Sequence, residues 1–167
     1  MFRPLVETDL PSIRSWFDRR EDEPFFIDMP SRAWWQYIST REDSFSYCSV
    51  GPISNLVTVY SQFDIEQEAD DVGVPRQVAW LAIMTAPNLH GCGWGTRHWT
   101  QLENLLKHMN IPVVKASVLK ENKKSKRFFK RQGFKRSARE SVDPQLVNIE
   151  KVLIRARQEP DQPNRPD

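Results

Sequence analysis

A twelve-residue stretch, TAPNLHGCGWGT (Thr85–Thr96), links the near-continuous apolar run VAWLAIM to the amphipathic segment GTRHWTQLENLLKHMN. Three glycines alternate in it, Gly91, Gly93 and Gly95, directly at the start of the expected helix. Glycine permits positive φ and puts no Cβ in the way, so successive backbone N–H groups can turn toward one anion. The helix start adds unpaired donors and the positive end of the macrodipole. A strand, a glycine loop and a helix in this order predict a pyrophosphate cradle. Nucleotide and dinucleotide sites share that arrangement. The spacing does not fit GxxxxGK[ST], however, and the region upstream patterns as an antiparallel meander rather than a βαβ unit.

The rest of the chain reads as one α/β domain over residues 1–154. The segment FRPLV predicts a first strand, and Thr8 or Asp9 a cap for a helix with Pro11 in its first turn. Ser31 caps a second helix through AWWQYI. Strands follow over 44–50 and from Ile53 to about Ile65, with the acidic EQEADDVGVP as a hairpin connection and VAWLAIM as a central strand buried on both faces. The long helix carries Trp99, Leu102, Leu105, Leu106 and Met109 on one side and stops at Pro112. Next come a strand VVKASVL, a helix SKRFFKRQG with Gly133 at its C-cap, a strand FKRSA and a last strand LVNIEKVLI. The proline-rich, polar tail over 155–167 predicts disorder.

Composition narrows the class. No apolar run reaches the roughly 20 residues of a membrane-spanning helix, and MFRPLVETDL lacks a signal-peptide layout, so the expectation is a cytoplasmic protein without a membrane partner. Two cysteines, Cys48 and Cys92, make no disulfide framework, and three histidines at poor spacing predict no metal site. Charge is unevenly divided. Residues 1–90 hold 7 Lys/Arg and 14 Asp/Glu, whereas residues 91–167 hold 17 and 8. The two halves are suited to ligands of opposite charge.

At the glycine loop the chain resembles the GNAT superfamily of N-acetyltransferases, whose cofactor motif runs V-x-P-x-x-[QR]-G-x-G-[IL]-G after the fourth strand. Thr85, Pro87, His90, Gly91, Gly93, Trp94 and Gly95 fall at the matching positions. A second family pattern, an Asn followed some ten residues later by Gly-Phe, matches Asn122 and Gly133-Phe134. The resemblance covers residues 1–154. It implies a mixed, mostly antiparallel twisted sheet of six to seven strands flanked by about four helices, with acetyl-CoA as acyl donor and no metal. By resemblance, the backbone at Met84, Thr85 and Ala86 runs beside the pantetheine arm, and residues 91–96 (Gly91, Cys92, Gly93, Trp94, Gly95, Thr96) with His90 hold the pyrophosphate. Asn122, Ser125 and Phe129 flank the thioester. Trp94 is expected to pack into the core.

The chain departs from the family at three positions. His90 replaces the usual Gln or Arg, Cys92 a common Lys or Arg, and Phe129 a tyrosine whose hydroxyl protonates the leaving thiolate in many members. No acidic side chain lies in VAWLAIMT, so Asp64 or Glu66 is the candidate base, and Ser125 or Tyr60 the candidate acid. The acceptor is an amine, a cationic small molecule or a protein amine, met by Glu21, Asp22 and neighbouring carboxylates. Phe26, with Trp34 and Trp35, either caps the pocket or joins the core. Two other readings stay open: a nucleic-acid-directed acyltransferase or binding module, which the acidic N-terminal half disfavours, and a catalytically degenerate CoA-binding regulatory module. Apolar strand residues leave a homodimer open.

Overall fold

The structure, a computed structural model, describes residues 1–17, 31–52, 56–70 and 72–153. Among these, seven strands and four α-helices alternate: β1 (Phe2–Pro4), a 3₁₀ turn (Glu7–Asp9), α1 (Leu10–Arg14), α2 (Arg32–Ser39), β2 (Ser44–Val50), β3 (Val57–Ala69) and β4 (Pro75–Thr85). After a 3₁₀ turn (Pro87–Leu89) come α3 (Trp94–His108), β5 (Val113–Leu119), α4 (Lys123–Arg131), β6 (Lys135–Arg136) and β7 (Leu146–Val152). The sheet order is β1-β2-β3-β4-β5-β7-β6. Every pairing is antiparallel except β4 with β5. The mixed, mostly antiparallel sheet and its helices agree with the fold class expected.

Both sheet faces are covered, which is why β4 is almost wholly apolar from Val78 to Met84. Under α3 and α4, Phe63, Leu81, Val114, Ala116 and Val118 meet Trp99, Leu102, Leu106 and Phe129. On the opposite face Cys48, Tyr60 and Met84 meet Leu10, Ile13 and Trp16, with Trp34 and Trp35 half-buried beside them. Ser31 caps α2 as expected, its Oγ accepting from Trp34 N–H at 3.0 Å. Gly133 (φ +88°) also ends α4 as expected. Its N–H donates to Lys130 carbonyl, and Phe134 N–H donates to Phe129 carbonyl, with the two rings 4.9 Å apart. That double bond with its apolar contact is a Schellman ending.

Three local readings are corrected. Asp9 does not cap α1. Its carboxylate turns back to accept from Val6 N–H (3.0 Å) and from both Arg3 Nη atoms (2.7 and 2.8 Å). The strand FKRSA shrinks to two residues, and α4 begins one half-turn early, at Lys123. The third correction is the largest. β3 runs on to Ala69, four residues past Ile65, and β4 starts at Pro75, so half of the acidic stretch read as a loop is strand. The turn is tight: Asp70 Oδ1 accepts from Val72 and Val74 N–H, and Gly73 takes φ +85°. β2 pairs with β3 only as far as Asp64, so among the described residues the end of β3 has β4 as its single neighbour in the sheet.

Glu68 is the reason the strand extends. It is 8% exposed and lies 2.5 Å, through Oε2, from Nζ of Lys115, itself 3% exposed on β5. Trp80 Nε1 donates to its other oxygen at 3.0 Å. Burial alone would raise this carboxyl, but the lysine and the indole hold it below the usual carboxylate range. A buried charge needs such a partner, and β3 must continue to supply it.

His98 on α3 is fully buried between two strands, its ring nitrogens hydrogen-bonded with Ser49 Oγ (2.8 Å) and Ser61 Oγ (2.7 Å). Desolvation pushes its pKa down to about 3. The unfolded chain therefore takes up this proton below about pH 6.5, while the folded chain does not until near pH 3. Stability is fully present above pH 6.5 and falls below it, by about 1.4 kcal/mol per pH unit from this group. Urea unfolding at pH 7, 6 and 5 checks this: His98→Gln should lose correspondingly less stability per unit than wild type, and parallel slopes would refute the assignment.

Candidate active site

The parallel pairing of β4 with β5 is three rungs long: Val78 with Val113, Ala79 with Val114, and Trp80 with Lys115. Beyond Trp80, β4 stays paired with β3 up to Thr85, and β5 stays paired with β7 up to Leu119, but the two strands no longer pair with each other. A fork opens between them. Its walls are strand edges, and an extended ligand can lie against such an edge as an added strand does. Ser117 marks the opening, because it is exposed in the middle of a central strand. It donates to Asn148 Oδ1 at 2.8 Å.

The glycine loop lies where the fork widens. Gly91 and Gly93 both take φ +80°, and Gly93 forms the left-handed N-cap of the fifteen-residue α3. Among the described residues, nothing accepts from the N–H groups of Gly93, Trp94, Gly95 and Thr96. Four consecutive donors at the positive end of a helix form a cradle suited to phosphate oxygens. Gly95 serves a different need. A Cβ there would sit 3.1 Å from Thr85 Oγ1 and 3.3 Å from Phe128 Cε2, so the end of β4, the start of α3 and the side of α4 converge on it.

The rest of the loop is tied to β4. His90 is exposed, and its Nε2 donates to Thr85 carbonyl at 3.0 Å. Ala86 is buried, with its N–H given to Thr58 carbonyl and its own carbonyl taken by Leu89 N–H. Cys92 is exposed, a free thiol. Trp94, expected in the core, is instead half-exposed, with the Arg97 guanidinium 6.0 Å from its ring centre. It is the first residue of α3, whereas Trp99, five residues on, is buried in the core.

At the start of α4, Asn122 Oδ1 accepts from Ser125 N–H (2.9 Å), which leaves its Nδ2 with no acceptor among the described residues. Phe129 is buried against Phe128 and Phe134. Gln132 Nε2, 3.3 Å from Thr96 Oγ1, ties the end of α4 to the first turn of α3. Neither Gln132 nor Ser117 was among the expected site residues. For Ser117 a signal exists: in VVKASVL, Lys115 and Ser117 alternate onto one face. For Gln132 no signal exists, because the contact crosses 36 residues.

On β3, Tyr60, Gln62, Asp64, Glu66 and Glu68 share one face. Tyr60 stands opposite Met84 beside the fork, Asp64 opposite Trp80 at the last paired rung, and Glu66 opposite Val78 on the side away from the opening. Tyr60 is buried, and burial raises its phenol well above the ordinary value. Its hydroxyl donates to Gln62 Oε1 at 3.1 Å. Asp64 is half-buried, with Gln62 Nε2 3.4 Å from its Oδ1, while Glu66 is exposed. Glu21, Asp22 and Phe26 lie outside the described residues, as does the tail from Arg155.

The fold agrees with the comparisons. The chain matches the acetyltransferase (GNAT) family over residues 10–134, and it belongs to that family. Among curated protein sequences none matches it. Several solved structures share the fold. A ribosomal-protein-alanine N-acetyltransferase from Brucella melitensis has TM-score 0.68 and 18% identity, covering 91% of this chain and 99% of that one. An N-acetyltransferase from Staphylococcus aureus has TM-score 0.70 and 14% identity, covering 92% and 98%. The ribosomal-protein-S18-alanine N-acetyltransferase from Escherichia coli has TM-score 0.65 and 13% identity, covering 95% and 96%.

The left-handed cap at Gly93 generates a direct test. Nothing crowds a Cβ at this position, so the cost of a side chain is the backbone conformation itself. Gly93→Ala should lower unfolding stability in urea by about 1–2 kcal/mol, and Gly93→Asn by less, because asparagine tolerates this region better. Equal stability of all three proteins would mean that the cap does not hold this conformation in solution.

Proposed function

We propose that this chain is an N-acetyltransferase that uses acetyl-CoA and passes the acetyl group directly to a primary amine held in the same complex. The observation that carries the proposal is the convergence of the β4–β5 fork with four acceptor-free N–H groups on one glycine, Gly95. One suits an extended amide-bearing arm, the other a pyrophosphate, and coenzyme A contains both at fixed separation.

In this reading the N–H groups of Gly93, Trp94, Gly95 and Thr96 hold the pyrophosphate, with Gly91, Cys92 and His90 shaping the loop around it. The backbone at Met84 and Thr85 lines one wall of the fork. Asn122 Nδ2 and Ser125 line the other, on the buried support of Phe129. When bound, the cofactor supplies an acetyl group activated as a thioester. Holding it beside the amine contributes most of the acceleration, since positioning can be worth roughly 7–11 kcal/mol.

The amine must lose its proton before it attacks. Asp64 is the favoured acceptor of that proton, directly or through water, because it stands at the crotch of the fork and is half-buried. Glu66 and the acidic end of β3 attract a cation without touching the reaction. Of the two candidate acids, Ser125 fits better: it lies at the start of α4, whereas the buried phenol of Tyr60 holds its proton tightly and gives it to Gln62. The acceptor is accordingly a cationic amine, a polyamine or a basic peptide, which the surplus of carboxylates in the N-terminal half also favours.

Titration calorimetry with acetyl-CoA tests the cofactor. We expect micromolar affinity for wild type and none for Gly95→Asp, whose side chain would have to push Thr85 and Phe128 apart and so displace the donors of the cradle. Failure of a folded wild type to bind would end the acetyltransferase reading. Asp64→Asn tests the base: thiol release with spermidine should drop by about 10²-fold or more while acetyl-CoA affinity is kept. An unchanged rate would remove Asp64 from this role.

A further inference from the structure

The α4 helix carries six cations in nine residues, Lys123, Lys124, Lys126, Arg127, Lys130 and Arg131. None of them forms an ion pair among the described residues. Their arrangement works against the helix that bears them. Lys123 with Arg127, Lys126 with Lys130, and Arg127 with Arg131 are like charges one turn apart, each pair unfavourable. Lys123 and Lys124 also occupy the first turn, where the helix dipole favours acids, and no acid is there. α3 follows the ordinary rule, with Lys107 and His108 in its last turn and Lys107 paired to Glu103 at 2.8 Å. A local conflict of this kind in an otherwise consistent fold points to use rather than to stability.

Geometry separates these charges from the cofactor cradle. Phe128, Phe129 and Gln132 turn inward, toward Gly95, the core and Thr96. Lys123, Arg127 and Lys130, at i, i+4 and i+7, form an exposed stripe on the opposite side. Lys120 and Lys135 extend it beyond both helix ends, and both are exposed. The stripe carries no exposed large apolar residue. A helix that lies on a membrane needs an apolar face to insert, and this outward face has none. It also presents no exposed aromatic ring on which bases could stack, so contact would be with phosphates alone.

We propose that the outward face of α4 is a docking surface for the phosphodiester backbone of a nucleic-acid strand, held without base selection. The strand serves as an anchor and not as the acetyl acceptor, which fits the acidic β3 face lying elsewhere on the sheet. The proposal is independent of the acetyl-transfer reading.

Fluorescence anisotropy of a labelled twelve-nucleotide oligouridylate, titrated with the full chain between 20 and 200 mM NaCl, tests it. We expect binding that an oligoadenylate reproduces, with log affinity falling against log salt at a slope of about −2 or steeper for three phosphate contacts. Saturating coenzyme A should leave it in place. The triple variant Lys123→Gln/Arg127→Gln/Lys130→Gln should lose at least tenfold in affinity at low salt and about two in slope, with an undiminished thermal midpoint by circular dichroism. The charge-preserving Lys123→Arg/Lys130→Arg variant should bind as wild type does. Absence of binding, its abolition by coenzyme A, an unaltered slope in the triple variant, or preference for phosphatidylserine vesicles over the oligonucleotide would each overturn the proposal.

Discussion

The parallel pairing of β4 and β5 stops at Trp80 and Lys115, and the fork exists because it stops there. A buried clamp marks the last rung. Lys115 reaches Glu68, Trp80 donates to the same carboxylate, and the ammonium lies 5.7 Å from the indole ring centre. Either charge alone would be costly to bury, so the clamp holds β3, β4 and β5 in one register on the paired side. On the other side the strands are released to different neighbours, β4 to β3 and β5 to β7. A fork needs both conditions: a root that does not slip and arms that are each supported from outside.

Gly95 joins that fork to the helix layer. Its missing side chain lets Thr85 and Phe128 approach from two directions, so the cradle donors are carried on the same rigid junction as the fork wall. Gly93 contributes differently, through a backbone conformation that other residues adopt at a cost. Two glycines two residues apart thus have separate reasons to be glycine, one conformational and one steric.

Much of this is legible in the sequence alone. Strong periodicity identified α3, and a near-continuous apolar run identified β4, because the patterns reflect which faces are buried. The alternating glycines between them located the loop whose N–H groups lack acceptors among the described residues, because glycine is what such a backbone requires. What escaped were contacts made across the chain. The end of β3 looked like an acidic loop because Glu68 is recognisable as a core residue only once Lys115 is beside it. Asp9 looked like a helix cap, and its turn back to Arg3 depends on how β1 and the 3₁₀ turn meet. Trp94 looked like core because it is large and apolar, while its position on the first turn of α3 leaves it half in water. Gln132 carried no signal at all. The segment expected to meet the acceptor, with Glu21, Asp22 and Phe26, falls outside the described residues.

The long β3–β4 hairpin has one further consequence. Past Ile65, whose N–H still donates to Asp43 carbonyl, it leaves β2 behind, and before Val78 it has not yet met β5, so among the described residues both of its edges there are unpaired ladders of backbone donors and acceptors. Such edges recruit strands from other molecules unless their side chains discourage it. Here Glu66 and Gln67 on one strand and Arg76 and Gln77 on the other supply charge and polarity at that point. The composition that made this stretch resemble a solvated loop is the same composition that disfavours edge-to-edge pairing of this strand end with another copy.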